Sequence, residues 1–338
     1  MSEQPVIVTG SVATDCLMTF PGSFTEQLLA DQLAHVSLSF LVDTLDIRQG
    51  GVGANIAYGL ALLGLRPALV SAVGADFQPY AARLGALGVD LASVRTSRTR
   101  HTARFLCTTD RDGNQLASFY PGAMDEAVEI DLADTVRRLG GTGIVHIGAD
   151  QPTAMLRHTD TARALGVPFA ADPAQQLARL DGSAVRRLVG GARFLFTNAY
   201  EHALLLDRTG WTEAEVLAET DTWITTYGAK GCRVDRAGMP PVEIAAVPAR
   251  SATDPTGVGD AFRAGFLAAT VRGLDTVRAA QAGSALATCA LESVGPQMYG
   301  DAVDRETLES ALTAAYGPQA ASVARTLTEA RGRGSDAP

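Results

Sequence analysis

Residues 251–265 read SATDPTGVGDAFRAG, a glycine-rich turn that runs directly into an apolar segment. The spacing of the apolar residues after Asp260 predicts a helix that begins near this turn. Unpaired amides and the macrodipole make a helix N-terminus attractive to anions, and glycines let a phosphate approach the backbone closely. The amides of Gly257, Val258 and Gly259 are therefore a candidate anion hole.

The carboxylate of Asp260 has two interpretations. Its negative charge would repel a phosphate, so phosphate binding alone does not explain its position. The position is explained if Asp260 takes the proton of a hydroxyl group that attacks the phosphate, because base and electrophile must flank the nucleophile. Alternatively, Asp260 is an ordinary helix-start residue and the glycines form a plain turn, and the pattern alone favours neither interpretation.

Outward from this stretch, short apolar runs alternate with helix-forming segments. The runs are bounded by turn residues, as buried parallel strands usually are. The segments between them, such as 55–64 and 261–273, place apolar residues on one face and end at a glycine. This alternation predicts an α/β fold with a mostly parallel central sheet covered by helices on both faces. The predicted strands are 6–10, 68–74, 143–149, 167–172, 193–198 and 222–227.

Two regions interrupt the alternation, and an Asp-Gly turn at Asp112 predicts that the second is a β-hairpin. We expect these regions to form a small antiparallel sheet that projects from the main domain as a lid. The interrupting segments are 36–49, 103–110 and 114–122, and the lid spans about 12–50 and 100–124. The rest of the pattern predicts one domain over residues 1–330 and a disordered tail over 331–338.

Composition excludes several classes of protein. The 338 residues include 46% apolar ones, enough for a large core, and the net charge of −9 argues against binding nucleic acid or an anionic membrane. No apolar run approaches the roughly 18 residues of a membrane span. Four widely spaced cysteines without a CxxC pair argue against disulfides and zinc clusters, which favours a soluble protein of the reducing cytoplasm. Lys230 is the only lysine, so a P-loop is excluded.

Three more motifs fit both an ordinary turn and a binding site. The glycine-rich segment 48–64 could bring a ligand close to the backbone with Asn55 as its hydrogen-bonding group, or Asn55 could simply cap a helix. The segment 224–231, ITTYGAKG, offers a small polar surface for a nucleotide, or forms a plain hairpin turn. Asn198 and Glu201 could hold hydrated Mg²⁺, form a capping box, or do both.

Two kinds of side chain could bind a diol or a flat base. Asp15, just beyond the first predicted strand, can accept two hydrogen bonds from a vicinal diol, although a loop aspartate is more often only solvated. Phe105 and Phe119 lie in the predicted lid strands, where they could stack on a flat base or merely pack within the sheet.

Taken together, GGVGAN, NAYE, TTYGAKG and DPTGVGDAFRAGF resemble, in their order, motifs of the ribokinase-like (PfkB) carbohydrate and nucleoside kinases. The resemblance covers about residues 5–316 and implies a ribokinase-like three-layer α/β/α fold with a β-sheet lid. This chain departs from the family pattern at Pro255 and Val258, and neither change removes the anion-hole backbone or Asp260. Stretches such as GSVATDCLMTFPG, HTARFLCTTD and AADPAQQLARL further resemble adenosine kinases of actinobacteria.

The resemblance implies ATP-dependent phosphorylation of the adenosine 5'-hydroxyl, with a PfkB sugar kinase of the ribokinase or fructokinase type as the alternative. It implies Asp260 as the base, an anion hole at Gly257, Val258 and Gly259, and Glu201 as a water-mediated magnesium ligand. The implied substrate-binding residues are Ser11, Asp15, Ser39, Gly51, Asn55, Phe105, Phe119, Gln175, Gln176 and Arg179, and the implied ATP-binding residues are Asn198, Thr226, Gly228 and Gly231. The resemblance also implies a homodimer through the lid sheets and allows a potassium ion near the anion hole.

Overall fold

The computed structural model describes residues 4–27 and 39–329. The strands of this part are β1 (Val6–Thr9), β2 (Ala13–Thr19), β3 (Thr44–Gly50), β4 (Ala68–Val73), β5 (Val94–Thr96), β6 (Ala103–Thr109), β7 (Gln115–Tyr120), β8 (Ile144–Ile147), β9 (Phe169–Ala171), β10 (Phe194–Asn198), β11 (Trp223–Thr226), β12 (Cys232–Asp235) and β13 (Val242–Ile244). The helices are α1 (Phe24–Gln27), α2 (Val52–Leu62), α3 (Gln78–Ala86), α4 (Leu132–Arg138), α5 (Pro152–Ala164), α6 (Gly182–Val189), α7 (Ala199–Thr209), α8 (Glu213–Glu219), α9 (Val258–Val271), α10 (Thr276–Leu291), α11 (Arg305–Tyr316) and α12 (Ala321–Thr328).

The central sheet of the described part has nine strands in the order β13-β12-β11-β10-β9-β8-β1-β4-β5. Strand β1 lies parallel to both β4 and β8, and the sheet stays parallel as far as β11, where β12 and β13 continue it antiparallel. All six predicted strands are present. The chain leaves β1 towards one side of the sheet and later returns to its other side, so the carboxyl ends beside β1 form a crevice suited to a ligand.

Helices cover both faces of this sheet because its strands are apolar on both sides. Along β1, Val6 and Val8 pack into one buried cluster and Ile7 into the other. The first cluster includes residues of α2, α9, α10 and α12, and the second includes residues of α5, α6 and α7. The predicted α/β/α architecture is therefore confirmed.

The lid sheet has four strands in the order β3-β2-β6-β7. The predicted hairpin is present, since β6 and β7 pair antiparallel. The prediction of a wholly antiparallel sheet is wrong, because β2 and β6 pair in parallel. These two strands are separated in sequence by α1, β3, α2, β4, α3 and β5, so the chain has room to return in the same direction, which a short hairpin does not allow.

Three expectations concern the chain as a whole. None of the helices in residues 4–27 and 39–329 is long and apolar enough to span a bilayer. The predicted disordered tail, 331–338, lies outside the described residues. That residues 1–330 form a single domain stays a prediction.

Candidate active site

Residues 251–265 form the loop before α9 and the first two turns of this helix. Gly257 precedes the helix with φ 76°, and a Cβ placed there would lie 2.5 Å from the Cβ of Pro296. Only glycine fits this turn without strain. The first-turn amides of a helix have no partner inside it, and Gly259 is exposed. The amide of Val258 donates one long hydrogen bond, 3.4 Å, to the carbonyl oxygen of Pro255. The turn therefore presents backbone donors to which an anion has access.

The carboxylate of Asp260 does not cap this helix, because Gly257 occupies the N-cap position and Asp260 is the third helical residue. Its Oδ2 accepts a hydrogen bond from Nδ2 of Asn55 at 2.8 Å. Burial raises the pKa of Asp260 to about 6, although the hydrogen bond from Asn55 and the charge of Arg263 act to lower it. A carboxyl group with this pKa is ionised at pH 7 and still has useful affinity for a proton, as a general base requires.

The side chain of Asn55 orients Asp260. Asn55 lies inside α2 rather than at its cap and is only 5% exposed. Its Oδ1 accepts from Nε2 of Gln297 at 2.8 Å, and Gln297 also contacts the hydroxyl of Tyr80. Because Gln297 donates to the amide oxygen, the amide nitrogen of Asn55 faces Asp260. The cap interpretation of Asn55 is therefore wrong, since its side chain bonds to residues far along the chain.

The loop before α2 packs tightly on the chain that follows β1. Gly51 has φ 97°, and a Cβ there would lie 2.5 Å from the carbonyl oxygen of Ser11. The hydroxyl of Ser11 accepts from the amide of Val52 at 3.2 Å. The close approach of these two loops brings Ser11, Gly51 and Asn55 to the same end of the sheet, at the carboxyl end of β1.

One row of lid residues faces this region. Arg48, Asp15, Phe105 and Phe119 are directly opposite one another across β3, β2, β6 and β7, so their side chains share one face of the lid sheet. Asp15 therefore lies within the lid sheet and not in a loop after β1. Burial raises the pKa of Asp15, against the lowering effect of Arg48.

The two aromatic rings of this row are neighbours on one face. Phe105 and Phe119 are directly opposite on adjacent strands, where Cβ atoms are about 5 Å apart. This spacing leaves no room for a base between them, so within one chain they form a single wall. Phe119 is 49% exposed, which leaves its ring open to contact with another flat molecule.

The remaining predicted substrate residues lie outside this row of the lid sheet. Ser39 is exposed beside Phe40, whose ring packs against Phe20 at the end of β2 distant from Ser11. Gln176 is buried, and its Oε1 has no hydrogen-bond partner in the described part of the chain. Two other predicted residues of this segment, Gln175 and Arg179, are exposed.

The predicted nucleotide residues lie at the carboxyl ends of β10 and β11. Asn198 and Thr226 are directly opposite in this parallel pair. Gly228 and Gly231 flank the turn from β11 to the antiparallel strand β12, so the hairpin interpretation of this segment is confirmed. Gly228 is exposed, with open space where a Cβ would stand, which leaves the turn accessible to a ligand.

Glu201 belongs to a capping box. The side chain of Asn198 accepts from the amide of Glu201, and Oε2 of Glu201 accepts from the amide of Asn198, both at 2.8 Å. Burial, together with repulsion by Asp172, raises the pKa of Glu201 despite the nearby Arg263. Within residues 4–27 and 39–329 no group of three His, Cys, Asp or Glu side chains could hold a metal ion. A single carboxylate fits magnesium that is held mainly by phosphate and water.

The structure contains a buried ion-pair network under the anion hole, and the sequence analysis did not predict it. Arg263 binds Asp172 through two hydrogen bonds, from Nε at 2.5 Å and from Nη2 at 2.7 Å. His146, which is fully buried, contacts Oδ2 of Asp172 at 3.2 Å. Although burial acts to raise the pKa of Asp172, the charge of Arg263 and the contact with His146 keep it below its usual value.

The same guanidinium connects this network to the anion hole. Nη1 of Arg263 donates to the carbonyl oxygen of Gly259 at 3.1 Å. Arg263 lies one helical turn after Asp260, within residues 251–265, so its spacing from Asp260 was a usable signal. Asp172 ends the segment 167–172, and the position of a carboxylate after a buried strand was its signal.

Comparison with known proteins relates this chain to one family of kinases. The model of the pfkB family carbohydrate kinases matches residues 12–300. A nucleoside kinase of Methanothermobacter thermautotrophicus is 32% identical over 288 residues, which cover 82% of this chain and 91% of that protein. An ATP-dependent ribose-1-phosphate kinase of Halopiger xanaduensis is 32% identical over 240 residues, 68% of this chain and 76% of that protein.

A solved structure extends the likeness to three dimensions. The nucleoside kinase of Burkholderia thailandensis in complex with inosine superposes with a TM-score of 0.79 at 34% identity and covers 92% of this chain and 98% of its own. The architecture described above is therefore the ribokinase-like α/β fold. With the family model matched over most of its length, this chain belongs to the pfkB family of carbohydrate kinases.

Proposed function

We propose that this protein is a nucleoside kinase that transfers the γ-phosphoryl group of ATP to the 5'-hydroxyl of adenosine. The observation that carries the proposal is the hydrogen bond from Asn55 to Asp260 at the open N-terminus of α9. It holds a carboxylate of raised pKa beside backbone donors that suit a phosphate. These are the two parts that phosphoryl transfer to a hydroxyl needs.

In the proposed reaction Asp260 accepts the proton of the 5'-hydroxyl as that oxygen bonds to the γ-phosphorus. The bond from the γ-phosphorus to the bridging oxygen breaks, and ADP leaves with its electron pair. The amides of Gly257, Val258 and Gly259 stabilise the charge on the transferred group, because they are fixed before the reaction begins. Asn55 holds the carboxylate towards the hydroxyl throughout.

Magnesium fits this arrangement as an ion bound by the phosphates and water. Glu201 would orient such a water, and the cation would lower the raised pKa of that carboxyl. When bound, magnesium supplies charge neutralisation for the phosphates. ATP would lie along Asn198, Thr226, Gly228 and Gly231.

The cysteines of the described residues are free, which suits a protein of the reducing cytoplasm.

The lid supports a substrate that carries a base. Phe105 and Phe119 offer a flat apolar wall in register with Asp15. The carboxylate of Asp15 can accept hydrogen bonds from both hydroxyls of a ribose. Gln176 adds a buried amide oxygen that has no hydrogen-bond partner among the described residues, and such an acceptor suits the exocyclic amino group of adenine. Ser11, Ser39, Gly51, Gln175 and Arg179 complete the proposed substrate contacts.

A substrate panel tests this function. We expect ATP turnover to be fastest with adenosine among adenosine, inosine, guanosine, ribose, fructose and ribose 1-phosphate, measured as ADP release at equal concentrations. Phe105→Ala should raise KM for the nucleoside roughly tenfold, because a base loses about 1–3 kcal/mol of stacking. Leu165→Ala, which truncates an exposed apolar side chain at the end of α5 and outside the lid, is the matched control. Preference for a free sugar would instead establish the alternative, a PfkB sugar kinase.

The pH dependence of turnover follows from Asp260. Its pKa is raised to about 6, and only the ionised carboxylate can accept a proton. We therefore expect kcat to rise with pH through about 6 and to level off above it. Steady-state rates between pH 5 and 8 check this, with the coupling enzymes in excess. A flat profile across pH 6 would remove Asp260 as the group that titrates.

We also propose that the protein is a homodimer through the outer face of the lid. Leu45, Ile47, Leu116 and Tyr120 lie on the face opposite the Asp15 row and are 59%, 61%, 48% and 42% exposed. An apolar surface of this kind marks an interaction site, and the edges of the sheet also need cover. Light scattering should give twice the monomer mass, and Ile47→Asp should give the monomer mass. A monomeric wild-type protein at micromolar concentration would refute this assembly.

A further inference from the structure

The carboxylate of Asp254 joins the two loops that support the anion hole. Its Oδ1 accepts from the amide of Thr256 at 2.9 Å, directly before Gly257. Its Oδ2 accepts from the amide of Gly295 at 3.0 Å, directly before Pro296, which packs against Gly257. A substitution of Asp254 would therefore alter the conformation of the turn that orients the anion-hole amides.

The charge of Asp254 is balanced by an arginine of the lid. Nη1 of Arg48, in β3, donates to Oδ2 of Asp254 at 2.7 Å across 206 positions of sequence. Nε of the same guanidinium binds Asp46 at 2.6 Å. Arg48 is also directly opposite Asp15 in the lid sheet. One side chain thus connects the row that faces the substrate with the loop before α9.

This arrangement does not fit a potassium ion at Asp254. A carboxylate has about four acceptor positions, and three of them here hold a guanidinium and two backbone amides. Its negative charge is already paired with the fixed charge of Arg48. An unpaired carboxylate at this place would repel the phosphate that the neighbouring amides attract.

We propose that Arg48 is a positioning residue whose guanidinium takes the place of a monovalent cation at Asp254 and couples the lid to the anion hole. The lid then brings its own counter-charge to the loop before α9, and the geometry of the anion hole depends on the lid. This role rests on the proposed kinase function. Turnover should accordingly be independent of potassium.

Turnover in two salts and a double-mutant cycle test this role. We expect the wild-type kcat to be the same in potassium chloride and in tetramethylammonium chloride at equal ionic strength. Arg48→Gln and Asp254→Asn should each lower kcat about tenfold at saturating nucleoside, a coupling of about 1.4 kcal/mol, and the double variant should be no slower than either. Arg137→Gln, which breaks an exposed ion pair on α4, should leave kcat unchanged.

Two results would overturn the proposal: stimulation of the wild-type protein by potassium, or an Arg48→Gln variant with wild-type kcat. The same cycle measured on the free energy of unfolding needs no substrate. Should no nucleoside be phosphorylated, the proposed function fails, and the unfolding cycle still decides whether Arg48 and Asp254 are coupled. Additive unfolding energies would then reject the coupling itself.

Discussion

Replacement of Asp260 by asparagine is expected to lower kcat by about 10² or more while adenosine still binds. Asparagine keeps the shape of the side chain and can still accept the hydrogen bond from Asn55, but it cannot take a proton. The amides of the anion hole remain, so a residual rate should persist. Initial rates of ADP formation measure kcat, and calorimetric titration with adenosine measures the dissociation constant.

A matched substitution separates this effect from the loss of a surface charge. Asp207 is an exposed aspartate on α7, and Asp207→Asn should leave both constants unchanged. The pH profile of the Asp260→Asn variant should also lose its rise through about 6, because no carboxyl group titrates at that position. Wild-type turnover by Asp260→Asn would assign the base to another group.

The fold was predictable because its signals are local. The apolar runs that became β1, β4 and β8 to β11 are bounded by turn residues, and each was identified from a few adjacent positions. Strand β2 was not predicted, since ATDCLMT mixes polar and apolar residues without a buried pattern. The parallel pairing of β2 with β6 depends on how distant segments meet, which periodicity does not encode.

In the candidate site too, proximity within one short stretch was predictable and contacts between distant segments were not. The glycine turn and Asp260 share one short stretch, so their nearness was evident from sequence. Asn55 was predicted as a site residue, but its bond to Asp260 joins positions 205 residues apart. The pairing of Arg263 with Asp172 spans 91 residues and is equally invisible to spacing. Sequence patterns thus single out candidate residues, but they do not show which distant residues these candidates contact.

Loss of the Arg263 side chain is expected to be the most destabilising change in the site. Arg263→Met fills similar space but removes the positive partner of Asp172, which stays buried in contact with His146. Breaking one side of a buried ion pair costs about 3–5 kcal/mol, because the remaining charge is neither hydrated nor paired. The free energy of unfolding from urea titration at pH 7 should fall by that amount.

The variant should also change the chemistry of Asp260. The positive charge of Arg263 acts to lower the pKa of that carboxyl, so without it the midpoint of the pH profile should move above 6. This shift distinguishes an electrostatic role from simple instability, which would lower the amount of active protein at every pH.

A double substitution and a surface pair complete this test. Arg263→Met with Asp172→Leu removes both charges and should recover much of the lost stability, since no uncompensated ion remains buried. Arg137→Met breaks an exposed pair with Asp134 and should cost no more than about 0.5 kcal/mol. If Arg263→Met were as mild as Arg137→Met, the buried pair would not be a main support of the site. An unchanged pH midpoint would show that Arg263 does not set the proton affinity of Asp260.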